Sequence, residues 1–189
     1  MGLIIVIGGL PGSGKSTLGK MLAARLRVPF YSMGDVRRAY ARDRGWTLDE
    51  LNRRAEIDPA SDHLVDRFQT ELPKREASFV IDSRLGFHFI PGAVKVFLHA
   101  SVRTCAQRIL RTNRSEEKWT IIEDGVRSLT ERVASDKRRY AALYGVDPLD
   151  EAVYDIVLDS ETADPFVLLN QLLDELRRRG HEVQDTQTI

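Results

Sequence analysis

The chain has 189 residues, 42% of them apolar, with 28 Lys and Arg set against 28 Asp and Glu. That length suits one domain with a sizeable core, and zero net charge gives no global field for a nucleic-acid polymer or an anionic membrane, so any anion site must be local. The single cysteine, Cys105, excludes an internal disulfide and a structural zinc ribbon, no apolar run approaches a membrane span, and no secretory leader is visible; the expectation is a cytoplasmic monomer in a reducing compartment.

The first apolar run, Leu3-Ile4-Ile5-Val6-Ile7, lacks alternation and is rich in β-branched residues, as in a central parallel strand buried on both faces. A glycine-rich segment follows, and from about Lys15 a helix carries Leu18, Met21, Leu22 and Leu26 at helical spacing. Shorter strand candidates are Val28–Tyr31, Phe79–Ile81, Val94–Leu98 and Tyr154–Leu158. Helical patterns fall at roughly 34–43, 48–56, 61–75, 101–112, 121–143 and 166–178, the last opened by Asp164 as a cap and Pro165 at the first helical position. Strands separated by helices imply crossover units and a parallel sheet covered on both faces, an α/β fold. Two stretches exceed a minimal alternation and read as insertions beside the sheet. One lies between the second and third strands and contains Arg37, Arg38, Arg42, Arg44, Arg53 and Arg54; the other is polar and spans 112–127. The tail, 181–189, is expected to fray.

Gly9-Leu10-Pro11-Gly12-Ser13-Gly14-Lys15-Ser16 matches G-x-x-x-x-G-K-[ST] in full and has the required context, a buried strand before it and an amphipathic helix after. Glycines at 9, 12 and 14 let consecutive N–H groups, with Ser13 among them, turn inward as a nest for phosphate oxygens. The helix opening at Lys15-Ser16-Thr17 presents its positive end to the same anion. Lys15 reaches the β- and γ-phosphates and the Ser16 hydroxyl joins a Mg²⁺ shell, so a site for ATP is expected.

Arg38 and Arg84 follow the C-terminal ends of the second and third strands, where open α/β sheets collect ligands, and suit a second phosphate. Asp82 is placed like a carboxylate that orients Mg²⁺ and its water. Arg108, and the pair Arg132 and Arg139 seven apart on one helix face, bracket the polar insertion and are candidates to stabilise a migrating phosphoryl group. A capping aspartate and arginines that snorkel at a rim fit the same positions. Cys105 falls on an apolar stripe and reads as core.

These residues taken together resemble the nucleoside monophosphate kinases, most closely the short cytidylate kinases of archaeal type, over residues 3–175. Ser32-Met33-Gly34-Asp35-Val36-Arg37-Arg38 is similar to that family's monophosphate-binding S-x-G-[DE]-x-x-R, and Asp82-Ser83-Arg84 to its [DE]-G-R. Ser83 stands where the family carries glycine. The segment from Thr47 to Asp66 resembles the insertion of the subgroup, and Glu131-Arg132 through Arg139-Tyr140 its lid helix.

The resemblance implies a single P-loop kinase domain over 1–189: a three-layer sandwich on a five-stranded parallel sheet, a monophosphate-binding insertion at about 34–76, and a short lid at about 112–127. It implies transfer of the γ-phosphoryl group of MgATP to CMP or dCMP, with Ser32, Gly34, Asp35, Arg38 and Arg84 on the acceptor. Asp62 and Asp66, four apart on one helix face, are candidates to accept from the exocyclic amino group of cytosine, although a solvated acidic face reads the same way. Another small-molecule kinase with Asp35 beside an alcohol acceptor, and a non-catalytic ATP-binding protein, are the alternatives.

Overall fold

The β-branched opening run forms β1 (Ile4–Gly9) in a computed structural model that describes residues 2–112 and 119–183. It is the middle strand of a five-stranded sheet in the order β2-β3-β1-β4-β5. Every pairing in the sheet is parallel. The partners are β2 (Phe30–Ser32), β3 (Phe79–Asp82), β4 (Val94–His99) and β5 (Ile156–Asp159). Successive side chains of a strand point to opposite faces, so Ile5 and Ile7 pack on one side and Val6 on the other. Both sides are dry, which is why the run shows no alternation.

Under Ile5 and Ile7 lie Leu18 and Leu22 of α1 (Lys15–Leu26) and Leu168, Leu172 and Leu176 of α8 (Pro165–Arg178). Over Val6 lie Met33 of α2 (Met33–Arg42) and Val65 and Leu72 of α4 (Ala60–Arg75). The three layers expected from crossover units are therefore present. Helices α2, α3 (Leu48–Ala55) and α4 fill the stretch between β2 and β3. After β3 comes a single turn, α5 (Gly86–Phe89), and after β4 the pair α6 (Val102–Arg111) and α7 (Ile122–Tyr144), which enclose Cys105, Ala106, Ile109 and Leu129. Of the expected lid, residues 113–118 lie outside the described residues, as do 184–189 of the tail.

The elements match the sequence reading closely, with local differences. The second strand starts at Phe30 rather than Val28, because the Val28 N–H is spent on the Ala23 carbonyl in capping α1. Neither α5 nor the 3-10 turn at Glu151–Val153 was expected; each is too short to show periodicity. Asp164 accepts from the Phe166 N–H at 2.8 Å and Pro165 opens α8, as read. Among the described residues no helix is long and apolar enough to cross a membrane.

The register sets up the site. Ser32 of β2 and Ile7 of β1 both lie level with Asp82 of β3, so β2 and β3 end together and β1 runs two residues further, to Gly9. Chain leaving those ends, the glycine loop among it, converges on one crevice, the place where open parallel sheets bind ligands.

Candidate active site

The glycine segment leaves β1 at Gly9 and turns with Gly12 at φ 88° and Gly14 at φ 101°, a region closed to most side chains. At position 12 a Cβ would also stand 2.6 Å from the Cys105 carbonyl oxygen. Helix α1 therefore begins at Lys15 with no side-chain cap, leaving its first-turn N–H groups available to an anion. Lys15 is 8% exposed; its Nζ donates to the Leu10 carbonyl at 2.8 Å and lies 3.9 Å from Asp82 Oδ1. Burial pulls this ammonium below its ordinary pKa, and the Asp82 carboxylate opposes that. Ser16 Oγ donates to Asp82 Oδ2 at 2.5 Å, so the two residues expected at a metal are in contact. Ser16 and Thr17 both face the crevice, with Gly12, Ser13 and Gly14.

The loop is braced from behind. The Ser13 carbonyl accepts from Ser160 Oγ at 2.9 Å and from Arg108 Nη1 at 3.3 Å. Arg108 also donates to the carbonyls of Ser160 and Glu161. Thus Arg108, expected near the migrating group, does line the cleft, and its guanidinium is engaged by backbone that holds the phosphate loop to the β5–α8 connection. Cys105 is fully buried and its thiol is pushed up to about 11, in keeping with its reading as core.

From the loop a cleft of ≈ 430 Å³ runs to the helices between β2 and β3. Ser32, Gly34, Arg38, Asp62, Asp66, Asp82, Arg84 and Arg132 line it, so the structure brings most of the expected acceptor residues together. Ser32 also caps α2, its Oγ accepting from the Asp35 N–H at 3.3 Å. Asp35 is outside the lining: its side chain is 64% exposed and pairs with Arg38.

Two expectations change character. Arg139 is absent from the cleft wall and sits in a buried ion network. Its Nε donates to Asp62 Oδ2 at 2.6 Å and its Nη2 to Asp136 Oδ1 at 2.8 Å. Arg37 joins from the other side, donating to Asp62 Oδ1 at 2.9 Å and to Asn52 at 3.2 Å, and Arg84 pairs with Asp136. Three guanidinium groups thus share two carboxylates, and the excess positive charge borders the cleft. Burial alone would raise the Asp136 carboxyl, but Arg84 and Arg139 outweigh it and hold the group below the usual range. Asp62 therefore serves as the hub of this network. Asp66 differs, because Oδ2 accepts from the Tyr144 hydroxyl while Oδ1 accepts from no described residue. Burial raises the Asp66 carboxyl, Asp62 adds to that, and the Tyr144 hydrogen bond works against both.

The sequence reading passed over Arg37, Gln69 and Asp136. A signal existed for two of them. Arg37 shares its four-residue spacing with buried Met33 and Ala41, and Asp136 falls between Leu129 and Tyr140 on the buried stripe of α7. A charge on an apolar stripe marks a paired, buried ion.

Similarity to known proteins runs along nearly the whole chain. It is 34% identical to a cytidylate kinase of Methanococcoides burtonii over 178 residues, covering 94% of this chain and 99% of that one. A cytidylate kinase of Methanosarcina mazei is 36% identical over 176 residues, covering 92% of this chain and 93% of that one. In fold the chain resembles shikimate kinase of Acinetobacter baumannii in complex with shikimate, with a TM-score of 0.63 at 17% identity, covering 96% and 97% of the two chains. A glycine loop closed over a parallel-sheet crevice, an arginine-bordered cleft opposite it, and a match of residues 4–162 to the sequence profile lead to one assignment: the chain belongs to the cytidylate kinase-like family.

Proposed function

We propose that the protein transfers the γ-phosphoryl group of MgATP to the phosphate of CMP or dCMP. The observation that carries this reading is one cleft with an anion-binding end on each side, the loop amides and Lys15 facing Arg38, Arg84 and Arg132. The family supplies the cytidine. Residues 34–76 take the role of the monophosphate-binding insertion, and 112–127 that of the lid.

In this reading Lys15 and the loop amides hold the donor phosphates, and Arg38 and Arg84 hold the acceptor phosphate through planar, permanently charged forks. Arg132 neutralises charge on the migrating group, while Arg108 keeps the loop in shape beneath it. No general base is needed, because the attacking phosphate oxygen is already anionic and positioning supplies most of the rate.

The Ser16 hydroxyl and Asp82 carboxylate fit a hard cation that keeps several waters and takes its other ligands from phosphates. No group of three or more His, Cys, Asp or Glu among the described residues forms a protein-only cage. Held by Ser16 and Asp82, a Mg²⁺ ion would neutralise negative charge on the donor phosphates. An alcohol acceptor finds less support, because the carboxylate suited to it, Asp35, is turned out of the cleft.

The test is ATP consumption by the purified chain with CMP, dCMP, UMP, AMP, GMP and shikimate offered singly. CMP-dependent ADP formation, with CDP as the second product, is the expected result. Turnover with an alcohol alone, or ATP binding without any acceptor-dependent turnover, overturns the assignment.

A further inference from the structure

Gln69 is fully buried, yet it forms part of the cleft wall beside Val65, Asp66 and Ser83. Its Oε1 accepts a hydrogen bond from the Ser83 hydroxyl. The same Ser83 oxygen accepts from the backbone N–H of Leu85 at 3.2 Å, so this hydroxyl is donor to one neighbour and acceptor from the other. Gln69 Nε2 has no partner among the described residues. Turning the amide over would leave both its oxygen and the Ser83 proton unpaired, whereas the observed orientation orphans only the NH₂ group. The Leu85–Ser83–Gln69 chain therefore fixes the amide of this cleft-wall residue with its NH₂ group unpaired among the described residues. Asp66, one turn earlier on the same face of α4, offers Oδ1, which accepts from no described residue.

We propose that Gln69 reads the acceptor base, its Nε2 donating to N3 of cytosine while Asp66 accepts from the exocyclic amino group. This rests on the acceptor being a cytidine monophosphate. Uracil reverses both positions: its N3–H meets another donor and its O4 meets a carboxylate. A site built around buried polar groups rejects the analogue that leaves them unpaired. Ser83 is a positioning residue in this scheme. It gives a physical role to the one departure from [DE]-G-R, since glycine at 83 carries no hydroxyl to orient the amide.

The experiment compares kcat/KM for CMP, 3-deaza-CMP (N3 replaced by C–H) and UMP in the native enzyme and in Gln69→Met, Gln69→Glu and Ser83→Ala. The native enzyme is expected to prefer CMP over 3-deaza-CMP by about 10- to 100-fold, the cost of an unmet buried donor. Gln69→Met is expected to bring the two acceptors within about 2-fold, the hydrogen bond being gone from both. Gln69→Glu, which replaces the donor by an acceptor, lowers the ratio of CMP to UMP. Ser83→Ala narrows the preference for CMP over 3-deaza-CMP, a ratio that a packing role alone does not move. Melting curves and ATP binding establish that each variant is folded; if Gln69→Met is not, the analogue comparison in the native enzyme and in Ser83→Ala decides. CMP turnover with no discrimination at N3, or discrimination kept in folded Gln69→Met, overturns this proposal and leaves the acceptor assignment standing. Absence of CMP turnover in the native enzyme overturns both.

Discussion

A lysine that binds phosphates must be cationic, and Lys15 sits where burial resists charge while Asp82 favours it. At 8% exposure it loses most of its hydration, and the Leu10 carbonyl at 2.8 Å and the Asp82 carboxylate at 3.9 Å compensate in part. A triphosphate brings several negative charges to the same spot, so binding raises the affinity of Lys15 for its proton and strengthens both partners. The side chain is tethered before the ligand arrives, which reduces the entropy lost on binding. Lys15→Ala is expected to lower phosphoryl transfer on the order of 100-fold or more, the scale for removing one preorganised charge from a transition state. Removing a charge that burial disfavours offsets the loss of its contacts to Leu10 and Asp82, so the melting temperature should hold close to native. Steady-state turnover measured beside a melting curve checks both halves, and near-native turnover would move the donor site elsewhere.

At the scale of elements, one carboxylate joins the connection between β5 and α8 to α6. Glu161 accepts from the Ser101 N–H at 2.6 Å, the Ser101 hydroxyl at 2.7 Å and the Thr104 hydroxyl at 2.6 Å, and so ties this connection to the start of α6. These bonds hold its pKa at about 2 against an ordinary 4.5. A carboxyl depressed in the folded state adds stability that is complete above its unfolded value and disappears as pH falls through the folded one. Glu161→Gln should therefore be less stable than native above pH 4.5, and the gap should close between 4.5 and about 2. Melting temperatures of the two proteins from pH 7 downward test this; a gap independent of pH would assign the effect to packing. Elements of this kind were legible where their signals are local. The β-branched run of β1, the glycine loop, and the Asp164–Pro165 start of α8 each announce themselves within a few residues. The turn α5 did not, since a helix of 4 residues completes little more than one period. The site followed the same division. Ser16 and Asp82, which the structure places in contact, are legible as neighbours from their positions at the ends of a motif and a strand, but nothing near Gln69 in sequence says that Ser83 will orient it.

The whole molecule depends on contacts that no local pattern contains. Asp62 on α4 meets Arg139 on α7 across a separation of 77 residues, and Arg37 and Asp136 extend the network to α2 and, through Arg84, to the end of β3. Glu56 beside Ser135 at 2.5 Å and Arg138 at 3.0 Å adds a second bridge between the insertion and α7. Position in sequence made Asp62 and Asp66 equal candidates for reading the base, and Arg132 and Arg139 equal candidates for transition-state charge. Burial separates each pair. Asp62→Ala leaves buried Arg37 without a carboxylate and Arg139 with Asp136 alone, a loss on the scale of about 3–5 kcal/mol, or roughly 10 °C in melting temperature for a chain of this size. Its ratio of kcat/KM for CMP and UMP should change little in the molecules that remain folded. Asp66→Ala should do the reverse, with melting near native and the ratio reduced, because Asp66 keeps an oxygen for the base. The same contrast applies to the arginines. Arg139→Ala breaks the network and should act on stability, while Arg132→Ala, on the cleft wall, should lower turnover far more than the affinity for ATP or CMP. Melting curves, dissociation constants and steady-state kinetics on the four variants resolve these outcomes. If Asp62→Ala and Asp66→Ala reduce the CMP preference alike with unchanged melting, the network is an exposed part of the acceptor site rather than the brace that joins the insertion to α7.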